Sequence, residues 1–200
     1  MTNLIDYNLI AQVSRAYEDK GFKRIEVPWW ATEEIINVTK PQGCSTYKLN
    51  LNDKCLLASG EQSFLYLMNK GQLVPGFYQT ITPCFREETY DVLHSKHFMK
   101  LELISVEPKY AIDDLEFIKK TVNSVLEQYI KDIFFVETRQ SYYDKTIIAG
   151  SKTYDLVTKI NDEEVELGSY GIRKAQVGTW VYGTGIAEPR SSKVIRMKNN

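Results

Sequence analysis

The chain is poor in the features that would place it quickly. Its 200 residues hold three cysteines, Cys44, Cys55 and Cys84. An odd count without paired spacing excludes a secreted disulfide scaffold. The thiols read as free in a reducing compartment, with a zinc site shared with Glu or His as the alternative. Lys and Arg number 25 against 26 Asp and Glu, so the net charge is −1. No global basic field draws nucleic acid, and any such contact would need a local patch. No apolar run approaches the roughly 18 residues of a membrane span, and Met1-Thr2-Asn3-Leu4-Ile5-Asp6 carries no basic leader. The expectation is a cytoplasmic protein with no membrane contact. There is no Walker-type glycine loop, no GxGxxG and no internal repeat, so those devices do not hold a nucleotide here.

What is present is ordinary for a globular protein: 43% apolar and 26% charged residues. A chain of this length suits one domain over residues 1–200, burying about 70% of its unfolded surface without a staple. Leu9, Ile10, Val13, Ala16 and Tyr17 repeat at helical spacing, with Thr2 or Asn3 as the expected cap and Gly21 as the stop. Phe22 to Val27 alternates as a strand closed by Pro28. A hairpin is expected around Asn52-Asp53, and a short helix over 62–69. Phe77 to Glu87 and Lys100 to Glu107 read as an antiparallel pair. Asp113 and Asp114 open a helix along Ile118, Val122, Val125 and Leu126, as suits the positive end of the helix dipole. Four further strands follow, at 133–137, 154–159, 164–167 and 179–182, with an Asn161-Asp162 turn. Strand pairs with helices between them predict an α+β fold: an antiparallel β-sheet flanked by helices.

Three stretches carry the chemistry. The first is Gly21-Phe22-Lys23-Arg24-Ile25-Glu26-Val27-Pro28. The second joins Thr82-Pro83-Cys84-Phe85-Arg86-Glu87-Glu88 to Phe98-Met99-Lys100-Leu101-Glu102. The third runs from Thr179 through Gly183-Thr184-Gly185-Ile186-Ala187-Glu188-Pro189 to Arg190. Arg86 and Glu88, two apart and read as mid-strand, would face one cavity, as would Phe98, Lys100 and Glu102 on the return strand. A guanidinium on a strand matches two phosphate oxygens.

In order, these stretches resemble motifs 1, 2 and 3 of the class II aminoacyl-tRNA synthetases, with motif 2 similar to the seryl-tRNA synthetase pattern. The likeness extends to free-standing ligases that load carrier proteins. It implies ATP-dependent activation of a small amino acid to an aminoacyl-adenylate, with transfer to a carrier protein or tRNA. The rival is a non-catalytic paralogue that binds nucleotide or amino acid as a regulatory module. By resemblance, Arg86 holds the α-phosphate, Glu88 the adenine amino group, and Phe98 stacks on adenine. His94, in a short loop nearer the aspartyl and asparaginyl type, approaches the γ-phosphate. Gly183 and Gly185 leave room for the nucleotide, and Arg190 covers adenine and γ-phosphate. Glu166 and Ser169 hold Mg²⁺. Glu61 and Glu102 meet the substrate ammonium, Ser169 also belongs to the amino-acid site, and Arg173 meets a substrate carboxylate or phosphate. The motif 1 region, with Pro28-Trp29-Trp30, implies a homodimer.

Overall fold

The computed structural model describes residues 4–40, 45–49, 53–87, 92–138, 146 and 152–199. Helix α1 (Tyr7–Asp19) buries Leu9, Ile10, Val13 and Tyr17 along one stripe. Its cap is Asp6, whose carboxylate accepts from the Leu9 amide at 2.9 Å. That corrects the expected cap at Thr2 or Asn3, which lie outside the described residues. Gly21, at φ +95°, supplies the left-handed turn after the helix. Strand β1 (Lys23–Arg24) is shorter than the alternation promised. Phe22, ahead of it, packs its ring against Tyr17, Phe77 and Phe117 instead.

After Pro28 come β2 (Trp30–Thr32) and α2 (Glu33–Thr39). β3 (Lys54–Leu56) pairs with β2, and Lys48 bridges Cys55 across the expected hairpin. Then come α3 (Glu61–Asn69), β4 (Gly76–Phe85), β5 (His97–Val106) and α4 (Ala111–Leu126). β6 (Ile133–Thr138), β7 (Thr153–Ile160), β8 (Glu163–Ala175), β9 (Gly178–Glu188) and α5 (Arg190–Lys198) complete the order. Asn161 and Asp162 both take positive φ, as the two-residue turn joining β7 to β8 requires.

The main sheet has seven strands in the order β1-β4-β5-β9-β8-β7-β6. Only the β1–β4 pair is parallel. This is the expected α+β arrangement, and each sheet face carries its own core. Leu101, Leu103 and Val181 pack with α1 and α4. Ile104, Val106, Trp180 and Tyr182 pack with α2 and α3. Side chains alternate along a strand, so Phe98, Lys100 and Glu102 share the face of Ile104 and Val106. One strand face thus begins polar and ends in core. No described helix is long and apolar enough to cross a membrane.

Candidate active site

The site lies where β8 and β9 part. Their ladder runs from Ala175/Gly178 to Tyr170/Gly183 and stops there. Beyond it, residues 166–169 of β8 line a cavity together with Thr184, Ala187 and Glu188 of β9 and Phe98 and Lys100 of β5, on the other side of β9. Thr184 spans the start of the gap, its Oγ1 accepting from the Ser169 amide at 3.3 Å. A Cβ on Gly168 would sit 2.4 Å from that of Thr184, so only glycine fits there.

A bulge sets the side chains on the β8 wall. Leu156 pairs with Gly168, but Val157 pairs with Glu166, which leaves Leu167 as the extra residue. Glu166 and Ser169 are three apart and would face opposite ways on a regular strand. The bulge turns both to one face, where Asp155 stands opposite Ser169. Burial, and then the Glu166 charge, push the Asp155 carboxyl up to about 6. Two carboxylates and a hydroxyl on one face are hard oxygen donors of the kind Mg²⁺ shares with phosphates. Among the described residues, no three Asp, Glu, His or Cys side chains converge as a complete metal cage.

Arg86 lies just past the end of β4 rather than mid-strand. Its amide donates to the Lys96 carbonyl at 2.8 Å, which keeps the hairpin paired one residue beyond the strand. Its Nε donates to the Ala58 carbonyl at 2.9 Å. The guanidinium carbon sits 5.2 Å from the centre of the Phe98 ring. Phe98, His94 and Arg190 line the same cavity. Arg190, the first residue of α5, reaches back to the Glu166 carbonyl at 3.1 Å. Pro189 caps α5 rather than sitting in its first turn.

A second cavity adjoins the first, and Arg86, Lys100 and Ser169 line both. Glu102, 3% exposed, lines its wall. Lys100 Nζ at 2.8 Å and the Ser59 hydroxyl both hold its Oε1. Glu102 thus presents its carboxylate at the wall of this cavity. Gly60 allows this approach, since a Cβ there would lie 2.8 Å from Thr82 Oγ1 and 3.0 Å from Glu102 Cγ.

Glu61 differs from the expectation. Arg173 Nη1 donates to both its oxygens, at 2.8 and 2.7 Å, and Trp180 Nε1 donates to Oε1 at 2.7 Å. A carboxylate so occupied is a clamp on Arg173 and Trp180, set in the wall of the second cavity. It fixes Arg173, whose guanidinium carbon lies 4.2 Å from the Tyr182 ring centre, on the cavity wall.

Gly183 and Gly185 require a second correction. A Cβ on Gly183 would meet Tyr170 at 2.8 Å and Ile118 at 2.9 Å, and one on Gly185 would meet Leu101 at 2.2 Å and Tyr17 at 3.0 Å. Both glycines therefore make room for the core under α1 and α4, and it is Thr184 between them that faces the cavity. Glu88 lies outside the described residues, as does Cys44. Cys55 and Cys84 are buried free thiols, and burial pushes the Cys84 thiol up to about 11.

Sequence reading missed Asp155, Ser59, Ser95 and Glu188. Ser95 is 6% exposed, lines the first cavity, and its hydroxyl has no hydrogen-bond partner among the described residues. Of these, Asp155 alone had a signal, as a carboxylate beside the apolar Leu156-Val157 of its strand. The other three depend on long-range packing.

The family model for the tRNA synthetases class II core domain (F) matches residues 57–187. Among curated proteins no sequence match is found. A seryl-tRNA synthetase from Pyrococcus horikoshii, complexed with ATP, superposes with TM-score 0.77 at 17% identity, over 95% of this chain and 49% of that one. The cytoplasmic serine-tRNA ligase of Naegleria fowleri, in complex with AMP, gives 0.74 at 17% identity, over 96% and 53%. A pyrrolysyl-tRNA synthetase from Desulfitobacterium hafniense gives 0.68 at 18% identity, over 96% and 68%. The chain spans about half the length of the two seryl enzymes. With the motif 2 hairpin, the parted β8 and β9, and the family match over both, the chain belongs to the class II tRNA synthetase core family.

Proposed function

We propose that the chain binds ATP in the gap between β8 and β9 and a small amino acid in the adjoining cavity, and joins them as an aminoacyl-adenylate. The observation that carries this reading is the shared wall: Arg86, Lys100 and Ser169 line both cavities. A ligand carboxylate from one side meets an α-phosphorus from the other there, beside a guanidinium and an ammonium. The carboxylate oxygen forms a bond to the α-phosphorus, and the bond to pyrophosphate breaks. Arg86 stabilises the charge that develops on the phosphoryl oxygens. Glu102 Oε2 accepts the substrate ammonium, and Arg173, clamped by Glu61, faces the rest of the amino acid. Adenine lies on Phe98 under Arg190, with Glu88 toward its amino group and His94 toward the γ-phosphate. Glu166 and Ser169, backed by Asp155, would hold Mg²⁺, which supplies positive charge to the β- and γ-phosphates.

The acceptor is a carrier protein or a tRNA, and the net charge of −1 favours the protein. On this reading residues 1–200 form one catalytic domain, working in the cytoplasm as a homodimer through α1 and the exposed Trp29. Amino-acid-dependent ATP–pyrophosphate exchange across all twenty amino acids tests the activity. Folded protein with Mg²⁺ and no exchange for any of them would leave a non-catalytic binding paralogue. Binding to total tRNA tests the acceptor, with a dissociation constant no tighter than about 1 μM expected at ~0.15 M salt. Tight, salt-resistant binding would restore tRNA.

A further inference from the structure

Beneath Arg190 lies a carboxylate that the adenylation reading does not use. Glu188 is the last residue of β9 and has no exposed surface. A charge so placed requires donors around it. Glu188 has three. The Ser192 amide donates to Oε1 at 2.8 Å. The Ser192 hydroxyl and the Asp6 amide donate to Oε2 at 2.7 and 3.0 Å.

Ser192 lies in the first turn of α5, whose amides have no acceptor within the helix. Glu188 supplies that acceptor from two residues ahead. Asp6, on its other side, caps α1 through the Leu9 amide. One buried carboxylate therefore ties the start of α1 to the start of α5. The turn it holds is the turn that carries Arg190, whose guanidinium must cross the gap to the Glu166 carbonyl. A small rotation of that turn moves the end of so long a side chain by far more than its base.

We propose that Glu188 is the positioning residue of the nucleotide site: it sets Arg190 by fixing the first turn of α5 to the segment ahead of α1. The proposal rests on the reading of Arg190 as an ATP ligand. A double-mutant cycle separates the two claims. A non-hydrolysable ATP analogue with Mg²⁺ is titrated by calorimetry into the parent, Glu188→Ala, Arg190→Ala and the double variant. Glu188→Ala is expected to weaken binding roughly tenfold, the size of one lost hydrogen bond to a charged group. Arg190→Ala weakens it at least as much. The double variant binds no worse than Arg190→Ala alone, because Glu188 acts through Arg190. Glu188→Gln, which keeps an acceptor oxygen, recovers part of the loss.

A Glu188→Ala penalty that persists undiminished beside Arg190→Ala overturns the proposal and makes Glu188 a general structural group. Parental affinity in Arg190→Ala overturns the reading of Arg190 itself. If Glu188→Ala does not fold, Ser192→Ala takes its place in the cycle, removing one donor and leaving the amide. A Ser192→Ala effect fully additive with Arg190→Ala overturns the proposal in the same way.

Discussion

Glu61→Ala separates two roles for one carboxylate. As a substrate reader it would matter to the amino acid and little to stability. As the clamp on Arg173 and Trp180 it matters to stability first. Side-chain exposures of 8% for Glu61 and 14% for Arg173 put the pair in the interior. Removing one side of a buried ion pair costs about 3–5 kcal/mol, because the remaining charge stays desolvated. The indole N–H of Trp180 also loses its acceptor, worth about 1–3 kcal/mol alone. The two losses share one carboxylate and do not add in full. A net loss of about 4 kcal/mol lowers Tm by roughly 8–16 °C for a chain of this length. Replacing both members, as Glu61→Gln with Arg173→Met, should recover part of this because both desolvated charges of the pair are removed. Thermal melts by circular dichroism, with urea midpoints beside them, give the answer. Glu61→Ala melting within about 2 °C of the parent, with a raised KM for the amino acid, would refute the clamp and restore Glu61 as the ammonium reader.

Three other outcomes follow from the same geometry. Arg86→Ala should lower pyrophosphate exchange roughly 10²-fold or more by removing a contact that strengthens in the transition state, and full activity in that variant would move the α-phosphate elsewhere. Gly185→Ala would place a Cβ 2.2 Å from Leu101 Cδ2. It should destabilise by about 1–3 kcal/mol through overpacking, seen as a lower urea midpoint with nucleotide affinity unchanged. Loss of nucleotide at parental stability would instead put that glycine against ATP. Asp155 is raised from 3.8 to about 6 by burial first and Glu166 second, so folding favours its protonated form. Its contribution is complete below 3.8 and lost as pH rises through about 6. In metal-free protein Asp155→Asn should therefore flatten the decline in Tm between about pH 4 and 6, and an unchanged decline would contradict the burial of this carboxyl.

Local pattern made much of the fold legible. The β4–β5 hairpin and α4 follow from alternation and helical spacing, and the order of strands after α4 follows from turn residues such as Asn161-Asp162. The motif residues Arg86, Phe98, Glu102 and Arg190 were legible because each belongs to a short string with its own spacing. Partnership was not. Glu61 meets Arg173 across 112 positions, and no local rule says which carboxylate a given arginine will take. The faces of Gly183 and Gly185 were also hidden, since they depend on register with β5 and on the shift there between Leu101 and Glu102. Phe22 to Val27 alternates well, yet only two of its residues enter a ladder. Alternation reports which side chains are buried, while pairing depends on what lies alongside.

The end of the ladder at Tyr170 and Gly183 affects how such a site can be studied and how it drifts. β8 keeps β7 on its far edge, so the gap is edged by main chain, where Thr184 takes the Ser169 amide and Arg190 the Glu166 carbonyl. On the proposed reading, a nucleotide seated there is read in part by amides and carbonyls that every amino acid carries. Alanine scanning is blind to such contacts, and substitutions that spare the parting of the strands leave them intact. A chain can therefore exchange most of its side chains and keep its fold, as a TM-score of 0.77 at 17% identity illustrates. Chemical editing of the backbone itself, such as an ester in place of one amide in the β8 wall, is the experiment suited to reach it.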